Sequence, residues 1–279
     1  MSRPYKISRA ILLAVISQFL YGQSSEELPA LPLPAHIVIV MEENHSYSEI
    51  IGSSQAPYIN TLASDGALFT SSYGVTHPSE PNYLAIFSGS TQGVTSDACP
   101  LTFSASNLGY ELIARGKTFT GYSEGLPSVG SKVCNSGEYA RKHVPWTDFT
   151  DLGSTVNQPF TAFPTNYGNL PRVSFVIPNL LDDMHDGSVQ QGDSWLQQHL
   201  SGYVNWAKTN NSLLIITWDE DDGSAGNRIA TIFVGPMVKP GKYSEKISHY
   251  NVLRTIEAMY GVPYLGKAAS VTTITDCWQ

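Results

Sequence analysis

The chain predicts an α/β fold: a mostly parallel central sheet with helices on both faces, in three layers. Three observations carry that prediction. Residues 36–41, 172–177 and 212–218 are dominated by Val, Ile, Leu and Phe, the pattern of strands buried on both faces. Amphipathic helical stretches and long connections lie between the strand-like runs, as a parallel sheet requires. Each of the three runs also stops abruptly in carboxylates, amides or histidine, and open α/β sheets bind ligands beyond the carboxyl ends of their strands.

In chain order, Arg3, Lys6 and Arg9 precede the apolar run 10–20 and the polar Gln23-Ser24-Ser25, so residues 1–23 read as a signal peptide. The run is short for a bilayer span, which predicts export without a lasting membrane anchor. A Pro/Leu linker, 24–35, leads into a single unit over 36–279. Strand 36–41 ends in Glu42-Glu43-Asn44-His45-Ser46, which is either an exposed turn or a group of metal ligands. A helix over 56–65, closed by Gly66, and a strand over 67–73 feed the stretch 76–89. There the spacing puts Ser79 at a helix N-cap and Pro81 in the first turn, with Tyr83, Leu84 and Phe87 on one apolar face and Gly89 as the stop. Ser79 alone would be a capping residue. At the positive end of a helix it is also placed to meet an anion.

A helix over 107–115, with Leu108, Leu112 and Ile113 inward, precedes a strand over 117–122. No periodicity holds across 125–169, a loop-rich span of the length used for lids and substrate-binding insertions. Within it Arg141, Lys142 and His143 form either a solvated face or a grip on an anionic substrate. After the strand 172–177 come Asp182, Asp183, His185 and Asp186, the densest ligand-type cluster in the chain. Gly192-Asp193-Ser194 would cap a helix whose inner face is Leu196, Leu200, Tyr203, Val204 and Ala207, with His199 structural at its edge. Strand 212–218 runs into Asp219, Glu220, Asp221 and Asp222, four acids that would repel one another without a cation. A strand over 229–234 follows. Ser248 then caps a last helix, with His249 in its first turn.

The 279 residues are 42% hydrophobic and 14% charged, enough to build one large core. A net charge of −8 argues against nucleic acid and against docking on anionic membranes, and loss of the signal peptide would deepen it. In an exported chain three cysteines allow one disulfide. Cys99–Cys134 is the expected pairing, because both lie in Gly/Ser-rich loop regions. A secreted or periplasmic location follows.

Five stretches then occur in a telling order: Glu43-Asn44-His-Ser-Tyr, His77-Pro-Ser79-Glu-Pro-Asn82-Tyr, Asn179 to Asp183-Met-His185-Asp186-Gly, Trp218-Asp219-Glu220-Asp221, and His249-Tyr to Leu253-Arg254-Thr-Ile-Glu257. Together they resemble the phosphoesterase family of bacterial acid phosphatases and metal-dependent phospholipases C, within the alkaline phosphatase superfamily. The resemblance implies an alkaline-phosphatase-like sandwich with Ser79 on the nucleophile position. It places Glu43, Asn44, Asp219 and Glu220 beside Ser79 in a metal-and-nucleophile site. Asp183, His185 and His249 are similar to ligands of a second metal, or to phosphate-contacting residues where one metal is kept. Glu220 departs from the two-zinc branches, which carry His there.

The implied chemistry is phosphoester hydrolysis through a phosphoseryl intermediate, assisted by a divalent ion (zinc, calcium, manganese or magnesium). His77 or His185 would protonate the leaving alcohol, and Asn44 or Asn82 would hold the phosphoryl oxygens. Arg141, Lys142 and His143 would supply the extra positive charge a monoester dianion needs. The substrate is then a small phosphate monoester, with a phospholipase C-type diester as the alternative. A secreted protein that binds phosphorylated ligands without turning them over is the reading from another class, and a usable nucleophile at Ser79 argues against it.

Overall fold

The computed structural model describes residues 1–2 and 31–279. Apart from Met1 and Ser2, the expected signal peptide lies outside the described residues, as does most of the linker. Eleven strands follow in order: β1 His36–Glu42, β2 Ala67–Tyr73, β3 Phe119–Ser123, β4 Asn135–Ser136, β5 Tyr139–Ala140, β6 Asn157–Pro159, β7 Val173–Ile177, β8 Ser212–Trp218, β9 Arg228–Val234, β10 Gly241–Tyr243 and β11 Ile247–Ser248. The helices are α1 Tyr47–Ile50, α2 Pro57–Asp65, α3 Ser79–Ser88, α4 Leu108–Ala114, α5 Val189–Ala207 and α6 His249–Tyr260.

The central sheet has the order β10-β2-β9-β8-β1-β7-β3-β6, with β11 extending the edge beside β2. All its neighbours pair parallel except at β9, which is antiparallel to both β8 and β2. Two antiparallel steps restore the original direction. The carboxyl end of β2, and the loop that carries Ser79, therefore reach the same sheet edge as β1, β7 and β8.

The pleat sorts the core into two layers. Ile37, Ile39 and Met41 of β1 join α3, α4 and α6 on one face, while Val38 and Val40 join α2 and α5 on the other. Each layer buries large aromatics: Tyr83, Phe87, Trp146 and Phe175 on the first, Tyr203 and Trp218 on the second. This is the three-layer α/β sandwich expected from the apolar runs.

Several boundaries move for local reasons. Pro78, in extended conformation, is the N-cap of α3, so Ser79 is its first helical residue and not its cap. Its hydroxyl is left free for other partners. All ten residues of α3 are buried, Ser79, Glu80, Asn82 and Ser88 included, so burial extends beyond the apolar face expected there. Helix α5 starts earlier than the Gly-Asp-Ser signal suggests, because Ser188 accepts from the Gln191 N–H and caps it. Asp193 instead accepts from the backbone N–H groups of Tyr58 and Ile59, satisfying the open first turn of α2. Ile113, expected inward, is 44% exposed. The span 125–169 contributes Trp146 and Phe149 to the core, and Cys99 and Cys134 form the disulfide that fastens it to the loop after α3.

Candidate active site

Pleat parity decides which carboxylates meet. Glu43 continues the Ile37–Ile39–Met41 face, towards α3, whereas Glu42 continues the Val38–Val40 face. On β8, Leu213 and Ile215 lie on the α3 side and Leu214, Ile216 and Trp218 on the other, so Asp219 turns towards α3 as well. The two strands are neighbours in register, with Glu42 opposite Trp218, and the Asp219 N–H donates to the Glu42 carbonyl at 3.0 Å.

The loop between β2 and α3 is pinned from inside. Asn82 Oδ1 accepts from the N–H groups of Val75 (2.8 Å) and Thr76 (3.1 Å), and its Nδ2 donates to the carbonyls of Thr76 (2.8 Å) and Pro78 (3.1 Å). The Gly74 N–H donates to the Asn227 carbonyl, and a Cβ at Gly74 would lie 2.6 Å from Asn227 Oδ1 and 2.8 Å from the Asp219 carbonyl oxygen. Only glycine permits that approach of backbone to backbone. The His77–Pro78 bond in this loop is cis.

So held, Ser79 is 2% exposed and surrounded by acceptors. Its Oγ donates to Glu43 Oε2 at 2.9 Å; Glu220 Oε1 lies at 3.4 Å and Asn44 Oδ1 at 3.5 Å. Glu43 Oε1 also accepts from the Tyr83 hydroxyl one turn along α3. Asn44 adopts a left-handed conformation (φ 55°) and its N–H donates to Asp219 Oδ1 at 3.1 Å. The ends of β1, β2 and β8 and the start of α3 thus converge on one hydroxyl.

Burial dominates the electrostatics of these acids. Burial and the neighbouring Asp219 and Asp183 push the Glu43 carboxyl well above its ordinary range. Burial moves Asp219 and Asp183 up to about 7, and burial with the Asp219 charge moves Glu220 up to about 8. His143 sits fully enclosed between two of these acids, with Nε2 3.3 Å from Glu43 Oε1 and Nδ1 3.2 Å from Asp183 Oδ2. Its ring stacks on Tyr83 with centroids 4.9 Å apart. Burial holds it well below the ordinary histidine value.

The remaining residues singled out from the sequence fall into three groups. His77 lies at the mouth, with Nδ1 2.8 Å from Glu220 and Nε2 3.2 Å from Asp221. His185 lies opposite, with Nδ1 2.7 Å from Asp186 and Nε2 3.1 Å from Lys142 Nζ, while its N–H donates to Asp183. Lys142 also pairs with Asp97 at 3.0 Å, and Asp97 accepts from the Glu80 N–H at the start of α3. Burial alone would lower the Lys142 ammonium, but the Asp97 hydrogen bond and the acidic site raise it.

Two residues are turned inward instead. Arg141 is buried and spends its guanidinium on Asp148 (2.6 Å), Thr147 and the carbonyls of Lys132, Leu101 and Thr147. Its position is structural, not that of a substrate grip. His249 is buried too; its Nε2–H donates to the Asp219 carbonyl at 2.6 Å, and burial lowers it to about 4. It holds the acidic loop from behind. Asn82 likewise spends most of its amide on the loop, although its Nδ2 also donates to Glu220 Oε2 at 3.4 Å. Of the four consecutive acids, Asp221 accepts from the N–H groups of Gly223, Ala225 and Asn227, and Asp222 faces solvent.

Sequence reasoning missed Tyr83, Asp97 and the central place of His143. The one available signal was that Tyr83 falls four residues after Ser79, one helical turn further on, and so above the same spot.

The donor set fits a divalent cation. Glu43, His143 and His185 each offer a ligand atom within 4.8 Å of the other two. Asp183 Oδ2, Asp219 Oδ2 and His143 Nε2 are buried without a hydrogen-bond partner, which is costly unless something else occupies them. Mixed imidazole and carboxylate donors suit zinc or manganese better than calcium. The Asp186 carboxylate on His185 Nδ1 orients that ring as partners of ligating histidines do.

A family model described as the Phosphoesterase family matches residues 52–263. A phosphatidylinositol-3-phosphatase of Mycobacterium tuberculosis is 58% identical over 252 residues, 89% of this chain and 84% of its own. An acid phosphatase of Aspergillus fumigatus is 30% identical, over 81% of this chain, which spans about half (54%) of that relative's length. Among solved structures, a Vibrio parahaemolyticus protein of the alkaline phosphatase superfamily superposes with TM-score 0.61 at 13% identity, over 88% of this chain and 71% of that one. The lipoteichoic acid synthase LtaP of Listeria monocytogenes gives 0.62 at 10%, over 84% and 73%.

Proposed function

This chain is a member of the phosphoesterase family and a hydrolase of phosphoric esters, and from that premise we propose that it is an exported, metal-dependent phosphomonoesterase that works through a phosphoseryl intermediate at Ser79. The observation that carries the proposal is the 2.9 Å hydrogen bond from Ser79 Oγ to Glu43 Oε2, inside a ring of buried acids.

In the first step Ser79 Oγ attacks phosphorus, forming the Oγ–P bond as the ester P–O bond opposite it breaks. The Ser79 proton passes to Glu43, whose raised carboxyl is a competent acceptor. The departing oxygen takes a proton from His77, the rim imidazole that is not part of the ligand set. Water then attacks phosphorus and gives a proton to the imidazole that lost one in the first step, the Oγ–P bond breaks, Glu43 returns its proton to Ser79 Oγ, and inorganic phosphate leaves. Asn44 and Lys142 face the phosphoryl oxygens. A divalent ion held by Glu43, His143 and His185, with Asp183, Asp219 and Glu220 in reach, would neutralise phosphoryl charge and ease ionisation of the serine.

Lys142 supports a monoester dianion as substrate, and so do relatives named acid phosphatase and phosphatidylinositol-3-phosphatase. No helix among the described residues is long and apolar enough to cross a membrane. The basic-then-apolar N-terminal sequence and the Cys99–Cys134 disulfide support export to an oxidising compartment.

The test is the Ser79→Ala variant, assayed on nitrophenyl phosphate beside an acid-quenched mass measurement of the wild type. Loss of at least a thousandfold in kcat, with one phosphoryl group trapped on Ser79 in the wild type, is expected. Activity retained within about tenfold, or phosphate trapped elsewhere, would overturn the mechanism.

A further inference from the structure

Asp97 lies after α3 in a stretch that is neither helix nor strand, yet its carboxylate touches two elements of the active site. Its Oδ1 accepts from the Glu80 N–H at 3.0 Å, in the first turn of α3 and directly after the nucleophile. Its Oδ2 accepts from Lys142 Nζ at 3.0 Å, across 45 residues of sequence.

Both partners of this ion pair are mounted on one cross-linked unit. Cys99, two residues past Asp97, is bonded to Cys134. From there the chain makes the hairpin of β4 and β5, and the Arg141 N–H donates back to the Cys134 carbonyl at 2.8 Å. Lys142 is the next residue. The segment of Asp97 and the turn of Lys142 are therefore fixed to each other as well as to α3.

An ion pair whose side chains are 28% and 20% exposed adds little to stability, because water screens it. Its effect lies in where it puts the ammonium. A lysine stem samples many rotamers when free, and Asp97 restricts that freedom. Burial alone would raise the Asp97 carboxyl, but the Glu80 N–H and the Lys142 ammonium hold it below its ordinary range, so it keeps the charge that grips the lysine. Lys142 Nζ then rests 3.1 Å from His185 Nε2, on the rim of the acids around Ser79. Of the three N–H donors on the ammonium, one goes to Asp97 and one faces His185, which leaves one for a phosphoryl oxygen.

We infer that Asp97 is a positioning residue for phosphoryl transfer: with one carboxylate it sets the Lys142 ammonium at a fixed place relative to the first turn of α3, and so to Ser79. It acts through the lysine and not on the substrate. This rests on the phosphomonoesterase reading, in which Lys142 meets the phosphoryl oxygens.

A double-mutant cycle of Asp97→Asn and Lys142→Ala, read as kcat/KM on nitrophenyl phosphate, decides it. Asn keeps an oxygen for the Glu80 N–H and removes the charge on the lysine side, so the melting midpoint should stay within about 2 °C of wild type. D97N should lower kcat/KM roughly ten- to fiftyfold and K142A roughly a hundredfold, while the double variant should match K142A within about twofold. A residue that only supported the fold would instead give losses that multiply in the double variant. That multiplication would overturn the inference, as would D97N within about twofold of wild type, K142A at wild-type activity, or a larger fall in the D97N midpoint. If the wild type hydrolyses nothing, the phosphomonoesterase reading fails, and calorimetric titration of the same four proteins with inorganic phosphate still decides Asp97. A weakening by D97N that vanishes in the K142A background keeps the coupling, and any other pattern removes it.

Discussion

Replacing Asp219 by Asn should stabilise the metal-free protein while abolishing its activity, and should do so in a pH-dependent way. Asp219 is fully buried, and burial raises its carboxyl from the ordinary value near 3.8 to about 7. The sign follows from linkage: the folded state holds a proton that the unfolded state releases, so stability is highest at low pH and is lost as pH rises towards 7. Asn mimics the protonated acid at every pH. Its carbonyl can still accept from the Asn44 N–H, and its amide can donate where Asp219 Oδ2 has no partner. The gain over wild type should be several kcal/mol at pH 8 and clearly smaller at pH 5, where the unfolded carboxyl is only partly driven to ionise. In a chain of this size each kcal/mol moves the melting midpoint by roughly 2 °C or more. The assay is urea unfolding of chelator-treated wild type and D219N at both pH values, repeated with added zinc or manganese. The cation should stabilise the wild type most at pH 8 and the variant little. A variant less stable than wild type at pH 8, or a difference that does not change with pH, would refute the picture of uncompensated buried acids.

Asn82→Ala removes four hydrogen bonds that hold the loop before Ser79 and should cost about 2–4 kcal/mol, with a fall in kcat larger than any change in KM, read from unfolding curves and steady-state kinetics. Arg141→Met leaves Asp148 buried without its cation and should cost about 3–5 kcal/mol, while KM of the folded fraction stays near wild type; a large selective rise in KM would return Arg141 to the substrate site. Removing the Cys99–Cys134 bridge, which closes a loop of 35 residues, should lower stability by roughly 3–4 kcal/mol in denaturant. That loss should appear equally on reduction of the wild type and in C99A/C134A.

Much of the scaffold was legible because burial on both faces writes itself as uninterrupted apolar sequence. Residues 67–73 and 212–218 read directly as β2 and β8, and Ser248 read as the cap of α6. Strand ends rich in acids marked the functional edge, since sheet topology sends those ends to one crevice. The direction of β9 was not legible. Its apolar run is the same whichever way it pairs, yet only its reversal returns β2, and with it Ser79, to the edge where Glu43 and Asp219 emerge.

The roles of individual polar residues divide in the same way. Five motifs in order, through the family they resemble, nominated Glu43, Ser79, Asp219 and Glu220, where the residues alone also allowed exposed turns and a helix cap; folding brings Glu43 and Glu220 to the Ser79 hydroxyl. Whether a nominated side chain faces the nucleophile or props it up depends on partners distant in sequence, and these only folding supplies. Arg141 and His143 are two residues apart and looked alike; Asp148 claims the first, while Glu43 and Asp183 enclose the second. His249 was placed in its helical turn by local pattern, but folding set its ring against the Asp219 carbonyl, where each buried polar group satisfies the other. Local sequence therefore determined which elements form and where their polar ends lie. Tertiary packing decided which of those ends share a buried volume, because the cost of leaving a polar group unpaired is set by its neighbours in space.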